Sequence, residues 1–121
     1  MNACEIVTSA EVSAALGAEV MDGTNAPANV PNVCNFSAAG GQQVSVVLYE
    51  QGGEAMLPMM MPQPTDVPGI GDKAAWYGMG RIFGVLKGDR LLTIQFIGFT
   101  EPDNQTLERA RSIASAAAER F

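Results

Sequence analysis

A chain of 121 residues, 47% apolar and 17% charged with a net charge of −6, has the size and balance of one soluble globular domain spanning 1–121. Its acidity disfavours nucleic acid and anionic membrane as partners, since both reward a basic face, and no apolar run reaches the roughly 18 residues of a transmembrane segment. Histidine is absent, which excludes a Ser-His-Asp triad, a Cys-His pair and any His-ligated zinc or haem.

In chain order, IVTSAEVSAALG reads as a helix. Thr8 is its N-cap, Glu11 completes a capping box, Val7 and Val12 form a hydrophobic staple, and Gly17 ends it in a left-handed conformation. AEVMD then reads as a short strand, and 23–32 as a Pro/Asn loop. VCNFSAA and QVSVVLYE are strands joined through Gly40-Gly41 into a hairpin, with Val44, Val46 and Leu48 alternating with Ser45, Val47 and Tyr49. Residues 51–66 read as a long irregular segment, where Pro58, Pro62 and Pro64 argue against a long regular helix. VPGIGD is a turn that sets up the strand AAWY. A phosphate loop would instead have to lead into a helix N-terminus.

RIFGVLKGDRLLTIQFIGF gives two strands around Gly88-Asp89, a two-residue turn of type II′ or I′. Leu92, Ile94 and Phe96 face one way; Leu91, Thr93 and Gln95 form the other face, which is expected to be solvated. Arg81, Lys87 and Arg90 are expected to make a solvated edge that discourages aggregation. A last helix runs from about Asp103 to Arg120, with Leu107, Ala110, Ala114, Ala117 and Phe121 at helical spacing and Ile113 beside them. This order predicts an α+β fold: an antiparallel β-sheet of about five to six strands, with an N-terminal helix and a long C-terminal helix packed on one face.

Cys4 and Cys34 cannot build a structural zinc site and are no C-x-x-C pair. Two readings stay open, a pair of buried thiols or one disulfide. The context favours the disulfide, which would pin a helix entrance to a strand and place the protein in an oxidising compartment. A lipid-modified Cys4 is a minor third reading, because MNAC lacks the hydrophobic lead-in of a lipobox. No signal peptide is present, and Met1 is compatible with a start that replaces one.

The stretch MLPMMMPQP, with four methionines and three prolines in nine residues, carries the most individual chemistry. Met56, Met59, Met60 and Met61 offer thioethers that suit Cu(I), gap-filling over a core, or an adaptable contact surface. Trp76 and Tyr77 are adjacent in a strand and point to opposite faces, so one packs inward and the other is exposed or covered by the Met loop. Glu50 with Glu54 and Asp66 with Asp72 are read as surface charge rather than as acid/base pairs.

A cysteine before T-x-A-E-V-x-x-A-L-G, a second cysteine in a C-x-F strand, V-P-G-I-G-D-K-A-A-W, a strand–K-G-D–strand hairpin and a final Ala-rich helix follow one another here. In this order the chain resembles a broad group of small bacterial secreted proteins and lipoproteins of unknown function. The matching positions are Cys4, Thr8 to Gly17, Cys34, Phe36, Val67 to Trp76 and Lys87 to Asp89. The resemblance implies the disulfide and a periplasmic or secreted location, and it implies no activity. The chain departs from the group at the Met-Pro segment, where such proteins more often carry a polar, Ala-rich helical stretch.

The resulting expectation is a non-catalytic, extracytoplasmic binding domain without cofactor or metal, a monomer or homodimer. It contacts a protein or cell-envelope component through Met56, Met59, Met60 and Met61 with Trp76 or Tyr77. The alternative is a carrier of a small hydrophobic ligand or of Cu(I), with the same loop as lid or ligand.

Overall fold

Helices Ala3–Ile6 (α1), Ser9–Leu16 (α2), Gly53–Met60 (α3) and Asp103–Ala117 (α4) surround strands Val33–Ser37 (β1), Gln43–Tyr49 (β2), Thr65–Asp66 (β3), Lys73–Tyr77 (β4), Ile82–Lys87 (β5) and Arg90–Ile97 (β6). This computed structural model describes residues 2–25, 31–60 and 63–121, with Met60 described by its backbone alone. The strands form one antiparallel sheet in the spatial order β1-β2-β6-β5-β4-β3. β1–β2 and β5–β6 are the two hairpins expected from sequence. A non-local pairing of β2 with β6 welds them together, Val46 opposite Ile94 and Leu48 opposite Leu92. The fold is of the α+β class, with the N- and C-terminal helices against an antiparallel sheet.

Because the side-chain period of a strand is two, this register puts Phe36, Val44, Val46, Leu48, Phe83, Val85, Leu92 and Ile94 on one face, all of them buried. Each contributes on the order of 1.5–3 kcal/mol by leaving water. α1, α2 and α4 cover this face. α4 lies close to it because its inner stripe is small, with Ala110, Ala114 and Ala117 around Ile113. α2 forms as its local signals require. Thr8 Oγ1 accepts the Glu11 N–H at 3.3 Å, Glu11 Oε1 accepts the Thr8 N–H at 3.1 Å, and Gly17 ends the helix at φ 67°. The short α1 was not expected from sequence; Asn2 caps it by accepting the Cys4 N–H at 2.9 Å. Cys4 and Cys34 are joined by a disulfide, which fastens α1 to β1. Of the strand expected over AEVMD only the single bridge Val20–Ala38 forms. With the Thr24–Asn35 bridge it lies along the outer edge of β1. The loop positions 26–30 lie outside the described residues.

The opposite face departs from expectation. The Met-Pro segment is not irregular throughout: α3 spans Gly53–Met60 with Pro58 inside it. Its first turn is fastened from outside, since Asp89 accepts the Gly52 N–H on its carboxylate at 2.8 Å and the Gly53 N–H on its carbonyl at 2.9 Å. Leu57 packs on Ala75, Leu86 and Leu91. Leu91, expected on a solvated face, is thereby buried, and Thr93 beside it on that face is buried too. Gly88 alone of the turn pair has positive φ, 61°, which is the type II′ pattern.

Of the basic residues around the second hairpin, Arg90 is exposed as expected, but Arg81 and Lys87 are half-buried and bonded and form no solvated edge. β5 and β6 lie in the middle of the sheet, and Lys87 reaches up to α4. There its Nζ donates to the Ala118 carbonyl at 2.5 Å and stands 5.6 Å from the centre of the Phe121 ring.

Candidate functional site

The site begins at the tip of the second hairpin, which holds two neighbouring segments. Asp72, at the end of GIGD, accepts the Gly88 N–H at 2.7 Å, so that glycine-rich stretch is a turn leading into β4. Asp89 holds the start of α3. Glycine is required at position 53, where a Cβ would come within 2.7 Å of Leu91 and 2.8 Å of the Asp89 carbonyl. The helix can therefore lie directly on the sheet. Pro58 removes one backbone donor in the second turn, and the helix ends within eight residues.

The sequence-predicted site residues separate in the structure. Met56 is partly buried and packs against the small cluster under α3, as Tyr77, Tyr49 and Ile82 also do. Met59 stands on the outer side of the same helix, 82% exposed. Met61 lies outside the described residues, as does the side chain of Met60. Trp76 is on the other face of the sheet, 2% exposed between Phe83 and Phe96. Its indole N–H donates to Asp103 Oδ2 at 3.0 Å, which ties the first turn of α4 to β4. The structure thus sets Met56 and Tyr77 against the same cluster, holds Met59 on the same helix, and removes Trp76 from the group.

Sequence reasoning missed the turn Gly78–Arg81 between β4 and β5. Its tip, Met79, is 91% exposed. Its last residue, Arg81, adopts φ 50°, a left-handed conformation that a non-glycine side chain enters at a cost. What holds Arg81 there is a set of bonds to the start of α4. Its guanidinium donates to the Thr106 hydroxyl and to the Glu101 carbonyl, and its own carbonyl accepts the Phe96 N–H. Thr106 in turn donates to Glu101 Oε2 at 2.9 Å. Arg109 grips the same carboxylate with two nitrogens and donates to the Ala15 carbonyl at the end of α2. The hydrogen bonds from Arg109 hold the Glu101 carboxyl below the ordinary glutamate value of 4.5, with the Thr106 hydroxyl adding to the effect. The one sequence signal for this turn was Y-G-M-G-R itself, two glycines framing a methionine.

Two grooves lie elsewhere. One of about 380 Å³ runs between α2 and α4, lined by Ala15, Gln105, Glu108, Arg109 and Ser112 among others. The other, about 330 Å³, is lined by Val20, Met21, Ala38 and Ala39 with Glu19 and Ser37. Neither is lined by α3. Among the described residues no group of three or more His, Cys, Asp or Glu is placed to hold a metal, and no helix is long and apolar enough to cross a membrane. No protein-family model, curated protein or solved structure matches the chain. The functional reading therefore rests on the geometry.

Proposed function

We propose that the chain is a non-catalytic, extracytoplasmic binding domain that contacts a protein or envelope component through the outer side of α3 and the adjoining β4–β5 turn. The observation that carries this reading is the pair Met59 and Met79, 82% and 91% exposed on elements that are themselves tied down. Met59 projects from the helix whose inner side rests on Tyr77. Met79 projects from the turn two residues beyond Tyr77. Exposed thioethers adapt to varied apolar surfaces, and anchoring of the segments that present them lowers the entropy lost on binding. A disulfide, which forms and persists in oxidising compartments, supports the location. The Cu(I) reading draws less support, because Met56 turns inward while Met59 turns out.

The test places a photoreactive amino acid at Met59, at Met79 and, as control, at exposed Ser112 on α4, and irradiates envelope fractions. Adducts of one mass from both methionine positions and none from Ser112 are expected. Identical patterns from all three positions would sink the reading. Met59→Ala should change folding stability by less than about 0.5 kcal/mol, as surface substitutions do, so loss of the Met79 adduct in that background would report contact rather than unfolding.

A further inference from the structure

On the face that α3 partly covers, the register leaves an open platform on β1, β2 and β6. One cross-strand row runs Asn35, Ser45, Gln95, Ile82 and Tyr77; the next runs Ser37, Gln43 and Ile97. Val33, Val47 and Thr93 form a third row on the same face, of which Thr93 is buried. None of these positions carries an acidic or basic side chain, in a molecule whose net charge is −6. Gln43 and Ile97 are exposed and Ser45, Gln95 and Ile82 half-buried, so the platform is reachable.

Its chemistry selects its occupant. Amides and hydroxyls each donate and accept, which matches groups that also do both. A charged peptide, a phosphate or an anionic lipid surface would find no counter-charge and would lose hydration without return. Area decides against a second copy of the chain. With strands about 4.8 Å apart and same-face residues about 6.7 Å apart, the platform covers roughly 350 Å², whereas a stable interface takes about 800 Å² from each partner. What remains is a small, neutral, hydroxyl-rich ligand with apolar patches to set against Ile82 and Ile97.

We infer that this sheet face binds a short stretch of uncharged oligosaccharide, its hydroxyls on Gln43, Ser45 and Gln95 and its C–H faces on Ile82 and Ile97. The inference does not rest on the contact proposed for α3; the two surfaces border each other at Ile82 and Tyr77, which pack against the cluster under that helix.

The experiment titrates the full chain with tetramers of β-1,4-linked glucose, β-1,4-linked N-acetylglucosamine and α-1,4-linked glucose, and follows backbone and glutamine side-chain amides by NMR. At least one should produce saturable shifts centred on Gln43, Ser45 and Gln95. Gln95→Glu should weaken that binding at least tenfold, and Met59→Ala should leave it unchanged. The assignment is overturned if no tetramer moves these amides at millimolar concentration, or if the shifts fall on α3 or in the α2–α4 groove. It is equally overturned if light scattering finds a dimer that Gln95→Glu dissociates, because the face would then be a self-interface. The wild-type titration decides by itself should the Gln95 variant not fold.

Discussion

The two faces of the sheet are built by different means. On the face toward α1, α2 and α4, large side chains interdigitate to near-complete burial, a disulfide fastens one helix, and three arginine- or lysine-centred bonds fasten the others. On the opposite face, among the described residues, one short helix rests through its own Leu57 on Ala75, Leu86 and Leu91, and is fastened by backbone N–H bonds to Asp89 at one end. The first face holds the fold together. The second has little burial to lose, so it can carry exposed methionines and an uncharged strand surface without risking the core. Local stability should differ accordingly, since opening free energies follow buried apolar contact.

The largest effect should come from Phe83→Ala, which empties a fully buried position between β5 and the helices. A loss of about 3–5 kcal/mol is expected by denaturant titration, and a loss no greater than that of a Leu57 variant would dissolve the contrast between the faces. Next is removal of the disulfide by Cys4→Ser with Cys34→Ser. The bridge spans 30 residues, so in the chain-entropy model about 3–4 kcal/mol should be lost. Hydrogen exchange at α1 and β1 should rise ahead of that at α3. Leu57→Ala should cost about 2 kcal/mol, near the low end for such a truncation. Its exchange signature should be confined to α3 and the Leu91 end of β6; a uniform rise across the sheet would make α3 part of the global unit.

The smallest effect concerns acid. Glu101 has its carboxyl pKa lowered in the folded state, so its contribution is complete above the ordinary glutamate value of 4.5 and is lost as pH falls below that toward the folded value. Glu101→Gln should therefore cost about 1 kcal/mol at neutral pH, allowing for partial exposure of the pair. The variant and parent should converge in acid. Parallel stability curves down to low pH would mean that the Arg109 grip adds nothing.

What could be read from the sequence was what is local. Thr8, Glu11 and Gly17 define their helix within ten residues, and Gly88-Asp89 defines its hairpin within two. The alanine stripe of α4 follows from helical period. The disulfide was favoured by context but was not settled until Cys4 and Cys34 met. What could not be read depends on partners far along the chain. α3 is fastened by Asp89, 36 residues beyond Gly53, and its prolines argued the other way. Once α3 was missed, the burial of Leu91 was missed with it. Arg81 and Lys87 were read as an edge because strand order follows from the β2–β6 pairing, and nothing in the local pattern announces that pairing. Of the site, the Met56–Tyr77 neighbourhood was legible; the separation of Trp76 needed only the alternation rule plus a choice of face. The exposed turn at Met79 gave no periodic signal.

The contact of Arg120 with the Ile6 carbonyl and with Glu11, at 2.9 and 2.5 Å, brings the last helical stretch onto the first. Phe121 and Ala3 are both buried on that same helical side. Any linker joined to either end of this chain therefore starts from the helical side of the sheet. Immobilised or fused from that side, the domain would carry α3 and the strand surface beside it on the far face of the sheet.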